Sequence, residues 1–377
     1  AYPTNIYTDQ PLVAGGGTGD PTLACAHSFD LAGIPVHVVH LDLSERSTDV
    51  ARRRVRQLLD GSLAKRITFV RGSIAAAAAA ASRSSSSSSS SSDKHNSNYH
   101  VLDVNNPQHT REVEALFGRP FDYIHSTGVL HHSRSVEHCL KVLSTLLHED
   151  GGMALWVYAS SGGRDGVHDF QRMMKMLMPR TNEEIMDMRH VWGRSGVGGS
   201  DGTIRAARER LGAKHAARLE MAWELLTNLP PTNRLVRNPV LWNSVSGWLA
   251  QHEEALQGED QDDEGEPRWD VRISDMFLNP VDREFSVRDV LTWLAKAELE
   301  PATWLDTESG NFDVDIAPGN GRVGEAVSHL DEVDRLALGE LMQGTAVGHR
   351  LIARKKKRKS SDADVRLATV VPPILID

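Results

Sequence analysis

The sequence predicts a doubly wound, mostly parallel α/β sheet in the first 160 residues, followed by a helical cap region. Three observations carry this reading. A short apolar run, Leu12 to Ala14, leads straight into a glycine loop, Gly15-Gly-Gly-Thr-Gly19. A second apolar run, Val36 to Leu41, ends in a carboxylate, Asp42. Beyond them, short strand-like runs alternate with helical spacing as far as Tyr158. Alternation of that kind closes into a parallel sheet with helices on its faces. Ligands on such sheets sit at the carboxyl ends of the strands.

Taken in order, Tyr2 to Asp9 is a polar lead-in and Leu12 to Ala14 the first strand. A helix is expected over Pro21 to Leu31, and the second strand ends at Asp42. Thr48 to Leu59 has helical spacing with an arginine-rich outer face. Lys65 to Val70 is the third strand. Residues 74–97 are low in complexity, with an alanine run and then a serine run, and read as a disordered loop insertion. The ordered chain resumes near Tyr99 to Asp103, where Val101-Leu-Asp103 would carry a strand's end past the insertion. Phe121 to Ser126 is the next strand and Val136 to Leu147 an amphipathic helix. Glu149 to Gly152 is a turn, and Met153 to Tyr158 the last strand of the core.

The pattern then changes. Val167 to Leu177, Glu183 to Trp192 and Ile204 to Leu226 read as helices, Glu253 to Glu266 as an acidic linker, and Trp269 to Leu278 and Val287 to Leu299 as ordered segments. The expected organisation is a core at 1–160, a cap or substrate region at 161–310, and a C-terminal segment at 311–377 carrying the basic block Arg354 to Lys359. With 377 residues the chain can bury a proper core. Its net charge of -9 argues against broad nucleic-acid binding. The two cysteines, Cys25 and Cys139, make no disulfide framework and point to a reducing, intracellular compartment. That compartment is read as cytoplasmic, with nuclear import the alternative suggested by Arg354 to Lys359. No run reaches the roughly 18 apolar residues of a membrane span. The chain starts at Ala1, so further sequence is expected before it.

The glycine loop carries the chemistry. Its glycines permit tight turning and close approach to a ligand, and the following helix start presents free N–H groups. Asp42, at the end of the next strand, is placed to take both hydroxyls of a ribose. A nucleoside-containing cofactor follows. The spacing is not G-x-G-x-x-G, and no Gly-Lys-Ser/Thr closes a phosphate loop. What stands here is G-x-G-x-G.

That pattern resembles the cofactor loop of class I S-adenosylmethionine-dependent methyltransferases. Val13 to Gly19 matches the family's first motif and His40-Leu-Asp-Leu-Ser44 its ribose motif. Phe121-Asp-Tyr-Ile with Gly128-Val-Leu-His-His132 resembles its segment after strand four. The chain is most similar to the methyltransferase domains fused to tetratricopeptide repeats, through Tyr158 to Val167 and Asp275 to Phe285, although no such repeat period occurs here. It departs from the family at Val13, where many members carry an acid, and at Gly72-Ser73, where many have Gly-Asp. The resemblance implies a Rossmann-like methyltransferase sheet that binds S-adenosyl-L-methionine. The cofactor residues would be Gly15, Gly17, Thr18, Gly19, Asp42, Leu43, Asp103 and Ser126, with Ser73 the alternative to Asp103 at the adenine. It also implies transfer of a methyl group to a protein or small-molecule acceptor. His131 and His132 are the candidate bases, read as a pair whose rings point apart. Asp282 and Arg283 are acceptor-side candidates, or else a surface ion pair. No metal site is expected. A reading from another class is a methyltransferase-fold scaffold without catalysis, favoured by Val13 and the insertion.

Overall fold

A computed structural model describes residues 10–84, 101–160, 162, 164–177, 213–257, 273, 276–278, 282–305, 321–343 and 347–356. The expectations for 183–192, 258–266 and the serine run after Ser84 lie outside these residues. The chain divides into two compact units, one of residues 1–158, 283–343 and 348–377, the other of 159–282 and 344–347. This corrects the expected boundaries. Among the described residues, 283–305, 321–343 and 348–356 belong with the core rather than with a cap or a separate C-terminal segment.

The first unit is built on an eight-stranded sheet in the order β4-β3-β2-β1-β5-β6-β8-β7. The strands are β1 (Pro11–Ala14), β2 (Val38–Asp42), β3 (Ile67–Arg71), β4 (Val101–Asp103), β5 (Phe121–Thr127), β6 (Leu147–Tyr158), β7 (Leu299–Trp304) and β8 (Gly348–Lys355). β1 to β6 pair in parallel with one another, while β8 runs antiparallel to both β6 and β7. The expected turn at Glu149 to Gly152 lies within β6, as a register shift against β5 between Phe121 and Tyr123.

Helices α1 (Asp20–Leu31), α2 (Glu45–Leu58) and α3 (Gly61–Ala64) bring Cys25, Ala26, Ala51, Val55 and Leu63 against Val13, Val38 and Phe69 on one face. The arginines of α2 stay outside because its apolar positions recur at helical spacing, and Ser44 caps it by accepting from Ser47 N–H. The other face is covered by α4 (Ile74–Ser84), α5 (Thr110–Phe117), α6 (Val136–Leu146) and a later helix, α11 (Val287–Lys296). Their apolar stripes meet Leu12, Leu41, Val70, Ile124 and Leu351 in one cluster. A reciprocal Ser286–Asp289 capping box fixes the start of α11. Helices α12 (Gly321–Ser328) and α13 (Glu332–Gln343) complete the unit.

Two features overturn expectations. The alanine run is no loop: α4 buries Ala77 and Ala80 completely and packs Ile74, Ala78 and Ala81 against the core. Alanine is the strongest helix former, and its lack of bulk lets the helix lie close on the sheet. Ser73 starts it by accepting from Ala76 N–H at 3.1 Å. The basic block, read as part of a separate C-terminal segment, begins inside the sheet. Arg354 and Lys355 are strand residues of β8, paired with Glu300 at 2.8 Å and Glu149 at 2.7 Å, while Lys357 to Lys359 lie outside the described residues.

The second unit is helical. α7 (Val167–Leu177), α8 (Ala213–Thr227), α9 (Arg234–Arg237) and α10 (Pro239–Gln257) surround a core of Phe170, Met174, Leu226, Val245 and Phe277. No helix among the described residues is long and apolar enough to cross a membrane.

Candidate functional site

The strand order places a site before any side chain is considered. β1 lies between β2 and β5, and the chain's progress across the sheet reverses there. A reversal of that kind opens a crevice at the carboxyl ends of the two strands. The loop after β1 is Gly15 to Gly19, and the loop after β5 is Gly128 to His132. They touch: a Cβ on Gly15 would lie 2.3 Å from a methyl group of Val129, and Gly15 has φ +80°. Only glycine satisfies both conditions. Gly17, with φ +54°, has nothing among the described residues within 4 Å of where a Cβ would be, so among them the loop is open on that side.

Asp42 locks this loop to β2. Its Oδ2 accepts from Gly17 N–H at 2.8 Å and its Oδ1 from Ser44 N–H at 2.8 Å. Backbone bonds reinforce the geometry, since Gly15 N–H and Gly16 N–H both donate to Leu41 C=O, at 2.7 and 3.1 Å. Leu43, directly after Asp42, is 73% exposed, which is unusual for a leucine beside a buried strand. Thr18 faces the start of α1, donating to Asp20 at 3.2 Å, and Arg54 of α2 clasps the same carboxylate at 2.6 and 2.8 Å. Ser126, near the end of β5, is fully buried, and its Oγ has no hydrogen-bond partner among the described residues.

Asp103 sits apart from these residues. β4 is a separate edge strand, three strands from β1, or about 14 Å at ordinary strand spacing. Its carboxylate is occupied by the Arg71 guanidinium, whose Nε donates at 3.0 Å, and by Asn105 N–H at 2.9 Å. Burial acts to raise its pKa, but these bonds outweigh it and hold the carboxyl below the usual range. Asp103 therefore does not extend β3 past the alanine run, as the sequence suggested. Ser73, beside the end of β3, lies one strand nearer the crevice.

The two histidines fall in a 3-10 turn, Leu130–His132, above β6. Their rings do not point apart: the centroids are 4.0 Å from one another. His131 is fully buried, 3.8 Å from the Tyr158 ring and 5.8 Å from that of Trp156. His132 is half-buried. Trp156 and Tyr158 escaped the sequence reading. The available signal was their i, i+2 spacing at the carboxyl end of a strand.

The acceptor-side candidates also differ from expectation. Asp282 is no surface residue: in the second unit it pairs with Arg164 at 2.6 Å, both side chains 1% exposed. Gln171 donates to the same oxygen at 2.8 Å. Arg283, in the first unit, donates to the Arg134 carbonyl at 2.9 Å, two residues beyond His132.

No family model matches the chain. Solved structures similar to it include PKMT2 from Rickettsia typhi in complex with AdoHcy, at 12% identity, covering 93% of this chain and 49% of that chain with a TM-score of 0.49. A second structure of PKMT2 from Rickettsia typhi covers 93% and 48%, at 13% identity and a TM-score of 0.46. The glycopeptide N-methyltransferase MtfA complexed with (S)-adenosyl-L-methionine is 15% identical over 42% of this chain and 52% of that chain, with a TM-score of 0.26. The chain thus spans about half the length of these structures.

Proposed function

We propose that the first unit binds S-adenosyl-L-methionine in the crevice between β1 and β5, and that the protein transfers its methyl group to a protein or small-molecule acceptor. The observation that carries this is the Asp42 carboxylate, bonded to the glycine loop at Gly17 on the loop's open side. The residues fit the group. Asp42 accepts the ribose hydroxyls, exposed Leu43 offers an apolar platform to the base, and Gly15 to Gly19 passes close to the amino-acid end. The orphaned Ser126 hydroxyl supplies a further polar contact, and Ser73 stands nearer the adenine position than Asp103 does. Thr18 contributes backbone only, because its hydroxyl is turned to Asp20.

When bound, the cofactor supplies a methyl group already activated by the sulfonium. What remains for the protein is to hold the acceptor in line and exclude water. His132, half-buried after β5, is the base for an acceptor that must lose a proton. His131, packed on Tyr158, positions it. Asp282, held by Arg164 and Gln171, supports the fold of the second unit, which we read as the acceptor-binding region. The relation to methyltransferases fused to tetratricopeptide repeats rests on the sequence segments alone. The scaffold reading keeps Val13 as one support; of the insertion that is its other support, the alanine run packs on the core as α4, and residues 85–97 lie outside the described residues.

Calorimetric titration with S-adenosyl-L-methionine tests the reading. Asp42→Ala leaves the ribose hydroxyls without a charged partner, at a cost of about 1.5–3 kcal/mol, or roughly tenfold or more in affinity. Equal affinity in a folded Asp42→Ala variant rules out the assignment.

A further inference from the structure

Three side chains on one face of β5 form a hydrogen-bonded file that ends at the crevice. Tyr123, His125 and Thr127 are two residues apart and so leave the strand in the same direction. Tyr123 Oη lies 3.3 Å from His125 Nδ1, and His125 Nε2 lies 2.7 Å from Thr127 Oγ1. Tyr123 and His125 are buried, and Thr127 is half-buried. Val13 is the last residue of β1 paired with β5, opposite His125, so Thr127 lies two residues beyond that pairing, at the carboxyl end of β5 where the glycine loop leaves β1.

The chemistry of the imidazole sets the direction of the file. Burial, with the Arg350 charge adding to it, pushes the His125 pKa down to about 4, so the ring is neutral near pH 7 and carries one proton. One ring nitrogen donates and the other accepts. A buried phenol proton needs an acceptor, and among the described residues the one bonded to Tyr123 is His125 Nδ1. The imidazole proton is then on Nε2 and is donated to Thr127 Oγ1. With that lone pair occupied, the Thr127 hydroxyl keeps its own proton for an acceptor other than His125.

We propose that Thr127 donates this hydrogen bond to the carboxylate at the amino-acid end of the cofactor, and that His125 and Tyr123 are positioning residues that keep the hydroxyl a donor. The inference rests on the cofactor reading above and adds to it the group that selects the amino-acid end. Val13, the neighbour of His125 on β1, is buried in an apolar cluster and brings no charge to that end. A directed hydroxyl is the recognition element that the strand does supply.

The test compares two ligands on the full chain: S-adenosylhomocysteine, and methylthioadenosine, which lacks the amino-acid end. Thr127→Val should weaken the first about tenfold, as loss of a hydrogen bond to a charged group does, and leave the second within about twofold. Thr127→Ser should restore the preference. Tyr123→Phe, which releases the ring tautomer, should lower the preference about threefold through the same bond. The ratio of the two affinities is internal to each variant, so general damage to the fold cancels. A wild type that binds S-adenosylhomocysteine, with a Thr127→Val variant that keeps the wild-type ratio, overturns this inference and leaves the cofactor reading standing. A wild type that binds neither ligand overturns the cofactor reading, and the inference with it.

Discussion

The Asp42 carboxylate holds the Gly17 and Ser44 amides, and the proposed function asks it to meet a ribose as well. Its neighbours limit what the loop tolerates. Gly15→Ala drives a Cβ into Val129 while forcing a left-handed conformation, so it should abolish cofactor binding. Gly17→Ala meets open space among the described residues and should cost stability only the backbone term, about 1 kcal/mol; calorimetric titration of the first variant and chemical denaturation of the second check these outcomes. A pH effect belongs to this scale too. Burial pushes His40 down to about 4 from 6.5, and burial with the Arg350 charge does the same to His125. Both folded values lie below the unfolded one, so the unfolded chain binds more protons between these limits. Stability is therefore full above pH 6.5 and falls as pH drops toward 4. The two rings together should remove about 2 kcal/mol between pH 6.5 and 5.5, read from urea midpoints. His125→Gln should take away about half of that loss, and an unchanged slope contradicts the burial argument.

At the scale of elements, what the sequence made legible depended on whether the signal was local. β1, the glycine loop, α1 and β2 were readable because an apolar run, a glycine spacing and a terminal carboxylate lie within about thirty residues. The helix α4 was not, because an alanine run has no apolar–polar period to show which side is buried. Its burial of Ala77 and Ala80 now makes a prediction opposite to that for a loop. Deleting 75–84 should leave the chain insoluble or without a cooperative transition. Ala77→Leu should destabilise by about 1–3 kcal/mol through overpacking. β8 was obscured by its own charges: Arg354 and Lys355 look like a tail until Glu300 and Glu149 come alongside. Asp282 was misread for the same reason, since its partner Arg164 is 118 residues away. Removing one member of that buried pair leaves an uncompensated charge. Asp282→Ala should therefore cost about 3–5 kcal/mol, and Arg164→Met combined with Asp282→Leu distinctly less than the two single changes summed. A double-mutant cycle by chemical denaturation measures this, and a purely surface pair would show almost no change.

At the scale of the molecule, the first unit is discontinuous in sequence. Among the described residues, 283–305, 321–343 and 348–356 return to it after the helical unit, and β8 pairs along β6 from Gly152 to Tyr158. A fragment of residues 1–160, the domain that the sequence suggested, would expose the β6 edge. It would also strip Phe285, Leu294, Leu299 and Leu351 from the core. Such an edge is an aggregation hazard, and this fragment should not yield soluble folded protein. The proposed function stands or falls on the β1–β5 crevice as the place where an adenosyl cofactor binds. Amide hydrogen exchange on the full chain, with and without S-adenosylhomocysteine, tests this. Exchange should slow at Gly15 to Gly19, at Asp42 to Ser44 and at Gly128 to His132, with no change in α8 or α10. Slowed exchange confined to other segments, or none at saturating ligand, would contradict it.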